Sequence, residues 1–134
     1  MAETAVLIVD DQAPFRLAAA AVIEATAGFR VVAVAGSGEE AVLLAGRLHP
    51  DLVLMDVQLP GVDGWAATRL MRSLPAPPVV VVLSGGDVDD VERRVRSSGA
   101  LGYLPKAAFG PHTLSQAWAA ARDGPDAVPQ EQGT

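Results

Sequence analysis

At 134 residues, half of them apolar and none of them cysteine, the chain is sized for one domain with its own core, and it excludes disulfides and thiolate metal sites. Its net charge of -6, with ten Lys plus Arg, lacks the basic excess of a nucleic-acid-binding surface. Acidic Glu3 opens the N-terminus and the first apolar run stops at Asp10, so neither a signal peptide nor a membrane span is expected, and the cytoplasm is the expected compartment.

Five short apolar runs alternate with stretches of helical period. Val6-Leu7-Ile8-Val9 reads as a first strand, and Asp10-Asp11 follows it directly. A helix comes next, with Phe15, Ala18, Ala19, Val22 and Ile23 on one stripe. Val31-Val32-Ala33-Val34 is the second strand, and Ser37-Gly38-Glu39-Glu40 is a capping box that starts the second helix. Leu52-Val53-Leu54-Met55 is the third strand; Asp56 closes it, and Asp63 is the expected N-cap of the third helix. Val79-Val80-Val81-Val82-Leu83 is the fourth strand, followed by Ser84 and Gly85-Gly86, and Gly99 is expected to end the fourth helix. Leu101-Gly102-Tyr103-Leu104 is the fifth strand. It stops at Pro105, which has no N–H to donate and so suits a sheet edge.

Lys106 and a last helix with Leu114, Ala117, Trp118 and Ala121 on one stripe complete the pattern, and Gly124-Pro125 is expected to stop that helix. Continuous rather than alternating apolar strands imply burial on both faces. The fold class expected is α/β, a doubly wound five-stranded parallel sheet with right-handed crossovers. Residues 1–124 form the expected domain, and residues 125–134, with two Pro and little apolar character, an expected disordered tail.

In an open parallel sheet the strand ends on one edge converge on a crevice, so Asp10, Asp11, Asp56, Ser84, Tyr103 and Lys106 are expected to share one site. Three carboxylates, a hydroxyl and an ammonium suit metal-assisted phosphoryl transfer. Like charges about 4 Å apart repel by roughly 4 kcal/mol at an effective dielectric near 20, so the acidic cluster calls for a cation. Oxygen-only ligands favour a hard ion, Mg²⁺. Each residue alone also has a bland reading: Asp10-Asp11 as a helix cap, Ser84 as a turn residue, Lys106 as a solvated side chain. Their coincidence at the same strand ends argues against all of these holding together.

Val6 to Asp11, then Leu54-Met55-Asp56-Val57-Gln58-Leu59-Pro60-Gly61-Val62-Asp63-Gly64, Leu83-Ser84 and Gly102-Tyr103-Leu104-Pro105-Lys106 together resemble the receiver domain of two-component response regulators, across residues 6–122. The resemblance implies a flavodoxin-like (βα)5 fold with strand order 2-1-3-4-5, and phosphorylation of Asp56 by a sensor histidine kinase or phosphotransfer protein. It implies that Asp11, Asp56 and the Gln58 backbone carbonyl ligate Mg²⁺, or Mn²⁺ in its place, with Asp10 holding a metal-bound water. It further implies that Ser84 and Lys106 read the phosphate and that Tyr103 changes rotamer with it.

Many receivers carry Pro directly after the lysine, whereas here Pro105 precedes Lys106 and Ala107 follows. That arrangement resembles the subgroup fused to LuxR-type helix-turn-helix domains, here expected without the effector domain. Ser84 stands where Thr is commoner in the family, which preserves the hydroxyl.

The resemblance implies a phosphoprotein switch that catalyses only its own phosphoryl transfer and dephosphorylation. It is expected to engage neither nucleic acid nor membrane, and to associate, including as a homodimer, through the fourth helix, fifth strand and fifth helix. The fourth helix sets Val88, Val91 and Val95 among Asp89, Asp90, Glu92, Arg93, Arg94 and Arg96, a mixed charge pattern suited to reciprocal salt bridges. The alternatives are a receiver fragment of a longer DNA-binding regulator and a small flavodoxin-like cofactor binder. Against the last, Asp10-Asp11 lies where a cofactor phosphate would sit. An aspartyl-phosphate phosphohydrolase would need a cap insertion for which the chain has no room.

Overall fold

The computed structural model describes residues 3–85 and 88–123. Strands β1 (Thr4–Val9), β2 (Phe29–Ala35), β3 (Leu52–Asp56), β4 (Val79–Ser84) and β5 (Gly102–Pro105) alternate with helices α1 (Ala13–Glu24), α2 (Gly38–Leu48), α3 (Gly64–Arg72), α4 (Val88–Ser98) and α5 (Pro111–Asp123). A single 3₁₀ turn, Lys106–Ala108, follows β5. All pairings are parallel in the order β2-β1-β3-β4-β5, the expected architecture.

Successive residues of a strand face opposite sides, and this alternation sorts the core into two layers. Leu7, Val9, Val53, Met55, Val80 and Val82 pack against Ala41 and Ala45 of α2, Trp65, Ala67 and Met71 of α3, and Val91 of α4. Val6, Ile8, Leu52, Leu54, Val81 and Leu83 pack against Ala19 and Ile23 of α1 and Leu114 and Ala121 of α5. Burial on both faces therefore holds for β1, β3 and β4. It fails for β2, where Val31, Val32 and Ala33 are only half-buried and Val34 is 43% exposed. The reason is topological: β2 is an edge strand, paired only with β1. Ala18 likewise lies exposed, so the buried stripe of α1 is narrower than the sequence suggests.

The end signals act locally as their chemistry dictates. The Asp63 carboxylate accepts from Ala66 N–H at 2.8 Å and caps α3, and Gly99 adopts φ +91° just beyond α4. Ser37 Oγ accepts from Glu40 N–H at 3.2 Å, but the returning arm of the box lands one residue early: Glu40 Oε1 accepts from Gly36 N–H at 2.9 Å. Pro105 closes β5 on the outer edge, opposite Ser84. Gly124-Pro125 and the tail at 125–134 lie outside the described residues.

Candidate phosphoacceptor and metal site

Asp10 follows the last residue of β1 and Asp56 is the last of β3, so both stand at the C-terminal edge of central, fully covered strands. Each carboxylate is fixed by the same device. Asp10 Oδ1 accepts from Gln12 N–H at 2.8 Å and Asp56 Oδ1 from Gln58 N–H at 3.1 Å, which turns the chain out of the sheet and leaves the second oxygen of each group aimed into the crevice. The helix-cap reading of Asp10-Asp11 does not hold: the N-cap of α1 is Gln12, whose side chain makes no capping bond. The carbonyl of Asp10 is in turn gripped by Arg16 Nη1 at 2.7 Å.

Ligand oxygens of Asp10, Asp11 and Asp56 all lie within 4.8 Å of one another, with Asp10 and Asp56 buried and Asp11 exposed. Lys106, delivered by the 3₁₀ turn after β5, places its ammonium 2.6 Å from Asp10 Oδ2 and 3.6 Å from Asp56 Oδ2. Of the two carboxylates it lies closer to Asp10. The ammonium also rests 4.6 Å from the centre of the Phe15 ring, which in turn abuts Phe109 at 6.1 Å between ring centres. Ser84 closes β4 one residue past Leu83, the register partner of Asp56, and is buried. Tyr103, half-buried on β5, donates its hydroxyl to Glu92 on α4 at 3.3 Å.

The electrostatics follow from this packing. Burial raises the Asp56 pKa above the ordinary carboxylate value; the Gln58 N–H and Lys106 oppose the rise, while the charges of Asp10 and Asp11 add to it. Burial acts to lower the Lys106 pKa, but its contacts with Asp10 and Asp56 outweigh that and hold it above the ordinary lysine value. Three carboxylates facing one ammonium leave an excess of negative charge. Asp10 Oδ2 is wholly buried and, apart from the Lys106 ion pair, receives no hydrogen bond of good geometry. A buried carboxylate oxygen served by a single ammonium, beside two further carboxylates, fits a hard divalent cation and its water shell.

The sequence placed Asp10, Asp11, Asp56, Ser84, Tyr103 and Lys106 on one edge; the structure brings Asp10, Asp11, Asp56 and Lys106 together and sets Ser84 at the end of β4 beside them, whereas Tyr103 lies within β5 opposite Val82 with its hydroxyl on Glu92 of α4. The sequence missed three participants. Phe15 reads as one more core residue on a helical stripe, and nothing in that stripe signals that its ring faces an ammonium. Arg16 belongs to no motif, and Glu92 reads only as one charge in the mixed pattern of the fourth helix. Only the fold shows that Arg16 returns to the Asp10 carbonyl and that Glu92 reaches Tyr103 eleven residues away.

The geometry has known counterparts. A model of the response regulator receiver domain matches residues 6–119. Response regulator GacA of Pseudomonas aeruginosa is 42% identical over 104 residues, which cover 77% of this chain and 48% of that protein. The transcriptional regulatory protein LiaR of Bacillus subtilis is 37% identical over 121 residues, 90% of this chain and 57% of that protein. The chain thus spans about half the length of these relatives. Among solved structures, the signal receiver domain of the response regulator NarL from Mycobacterium tuberculosis superposes with a TM-score of 0.84 at 25% identity, covering 91% of this chain and 98% of that one. A LuxR-family two-component response regulator from Aurantimonas sp. SI85-9A1 superposes with a TM-score of 0.82 at 28% identity, over 99% and 100% of the two chains. With a family match across nearly all of its described residues and the acidic crevice in place at the strand ends, the chain belongs to the response regulator receiver domain family.

Proposed function

We propose that Asp56 is the phosphoacceptor of this receiver. The observation that carries the reading is its position: Asp56 ends the central strand, its Oδ1 is held by Gln58 N–H, and its Oδ2 faces both the Lys106 ammonium and the Asp10–Asp11 pair. In the transfer, the Asp56 carboxylate oxygen forms a bond to phosphorus while the P–N bond of a donor phosphohistidine breaks, and the imidazole leaves and takes its proton from solvent. Asp11, Asp56 and the Gln58 carbonyl would hold Mg²⁺ (or Mn²⁺) directly and Asp10 through water. Such an ion supplies the charge neutralisation that lets an anionic phosphoryl group approach a carboxylate.

Lys106, within reach of both Asp10 and Asp56, receives the phosphoryl oxygens, and the Ser84 hydroxyl donates to another. The new charge draws Ser84 and its loop inward, and Tyr103 changes rotamer in response. The output is association through α4, β5 and α5. Residues 1–124 are the working unit and the cytoplasm its compartment, and its only catalysis is its own phosphorylation and dephosphorylation. Incubation with acetyl phosphate and Mg²⁺ is expected to add one phosphoryl group, labile to hydroxylamine, and Asp56→Asn to take up none. Labelling of that variant to the wild-type extent would reject the assignment.

A second reading, that the chain is the receiver part of a longer DNA-binding regulator, is favoured by the 48% and 57% shares of GacA and LiaR that it spans. Reading the gene past the codon for Thr134 tests it.

A further inference from the structure

The loop that leaves β1 carries two of the three carboxylates, and one residue holds it from both ends. Arg16, in the first turn of α1, donates from Nη1 to the Asp10 carbonyl at 2.7 Å, and its backbone N–H donates to the Gln12 carbonyl at 3.1 Å. Asp11 lies between these two carbonyls. Its exposed side chain makes no hydrogen bond or ion pair among the described residues, so the backbone path is what delivers it to the crevice.

The sheet does not set that path alone. β1 ends at Val9, and the last bond to β2 runs from Asp10 N–H to the Ala35 carbonyl at 3.0 Å. Past that bond the ψ angle of Asp10 is a soft torsion, and turning it swings everything that follows, Asp11 included. Two bonds stop the rotation: Gln12 N–H to Asp10 Oδ1, and Arg16 to the Asp10 carbonyl. The second is charge-assisted and so stronger than a neutral pair. The half-buried guanidinium also lies beside Gly36, where a Cβ would stand 3.4 Å from Nη1, so it braces the ends of β1 and β2 together.

The choice of acceptor is informative. Arg16 has no ion pair among the described residues, although three carboxylates gather at this edge. Lys106 takes Asp10 Oδ2, whereas Arg16 takes a backbone carbonyl and leaves every carboxylate oxygen open to a cation. Its own positive charge, in contrast, repels such a cation. Bracing and repulsion therefore act on metal affinity with opposite signs.

We propose that Arg16 is a positioning residue of the metal site: by holding the Asp10 carbonyl it fixes the turn that presents Asp11, so that the divalent ion meets a preset pair of carboxylates. The inference rests on the Mg²⁺ ligand set proposed above.

The test is an Mg²⁺ titration of ¹⁵N-labelled protein followed by amide shifts, together with N–H dipolar couplings recorded without metal in a weakly aligning medium. Arg16→Gln keeps the backbone bond to Gln12 and removes the guanidinium. Were charge its only effect, this change would tighten Mg²⁺; loss of the brace is expected to weaken it about tenfold, as for other groups that orient metal ligands. Arg16→Lys, which keeps a cationic donor without the planar fork, is expected to bind about threefold more weakly than wild type. Arg30→Gln makes the same charge change at an exposed residue on the opposite edge of the sheet and is expected to stay within about twofold. In the metal-free state the Asp11 coupling is expected to change in Arg16→Gln while those of β1 and β3 stay in place, which distinguishes a turned loop from a loosened fold.

Mg²⁺ binding by Arg16→Gln as tight as wild type, or tighter, overturns the proposal, as do couplings altered throughout β1. Should Arg16→Gln fail to fold, Arg16→Lys decides: wild-type affinity with an unaltered Asp11 coupling overturns it. No saturable Mg²⁺ shift in the wild-type protein would reject the ligand set and this inference with it, whereas normal wild-type binding and an unaltered Arg16→Gln reject this inference alone.

Discussion

Single side chains decide how the crevice works, and their effects oppose one another. Asp56 binds its proton more tightly in the folded protein than in the unfolded chain, chiefly through burial, so its ionised form costs stability at neutral pH. That cost declines as the pH falls from the folded-state pKa to the unfolded value near 3.8. In metal-free buffer Asp56→Asn is therefore expected to raise the melting temperature at pH 7, with the gain shrinking towards acid pH. Asp11→Ala, at an exposed position that caps nothing in α1, is expected to stabilise the metal-free protein by up to about 1 kcal/mol. It should also abolish Mg²⁺-dependent labelling. A lower melting temperature in Asp11→Ala would mark Asp11 as structural.

Phe15 supports Lys106 from the opposite side, its ring 4.6 Å from the ammonium. Phe15→Leu keeps the apolar bulk and removes the ring face, a loss of about 1 kcal/mol for a cation over an aromatic ring. Labelling by acetyl phosphate is expected to slow about fivefold in Phe15→Leu and to stay near wild type in Phe15→Tyr, measured as initial rates.

At the scale of elements, backbone approach governs how the third helix carries the site. A Cβ on Gly64 would overlap the carbonyl oxygen of Asp56 and come within 2.8 Å of Val57 Cα, so α3 starts against the loop that leaves the phosphoacceptor. Gly64→Ala is expected to cost about 2–3 kcal/mol in urea unfolding and to slow labelling, because the loop must shift. Gly85→Ala, with nothing within 4 Å of the added carbon, is the contrasting change and is expected to be near neutral.

Much at this scale was legible in the sequence for a plain reason: caps and turns act over three or four residues. Asp63 caps α3 and Gly99 takes the left-handed conformation after α4 as their local chemistry requires. What a strand faces depends instead on its neighbours in the sheet. Val31 to Val34 look like Val6 to Val9 in sequence, yet β2 has one neighbour and β1 two, and only the fold supplies that difference. The crevice was legible for a third reason, since a parallel sheet gathers all its C-terminal strand ends regardless of which strands are adjacent. The partner of an individual side chain was not: Lys106 lies closer to Asp10 than to Asp56.

Across the whole molecule, charge is unevenly spread and the sheet divides the helices into two sets. Helices α1 and α5 cover one face, and α2, α3 and α4 the other. No described helix is long and apolar enough to cross a membrane. Part of the charge on α4 is already committed within the molecule, Arg93 to Asp90 and Arg94 to Trp65, which narrows the set left for reciprocal salt bridges between copies. Beryllofluoride is nonetheless expected to promote association through α4, β5 and α5, weakened by salt, because charge pairs across a contact sit well inside the Debye length of about 10 Å. Sedimentation that shows a monomer with and without activation would eliminate the homodimer and leave a different protein as the partner.

The two tryptophans are placed unequally with respect to this machinery. Trp65 is buried at the start of α3, next to the glycine that touches the Asp56 carbonyl, with the Arg94 guanidinium of α4 over its ring. Trp118 is half-buried on α5, on the opposite face of the sheet, with Arg122 over it. A cation against an indole perturbs its excited state. Replacing Trp118 by Phe therefore leaves a protein whose ultraviolet emission comes from one indole wedged between the phosphoacceptor loop and α4. The chain carries its own optical gauge of that junction, readable in a stopped-flow cuvette without any attached dye.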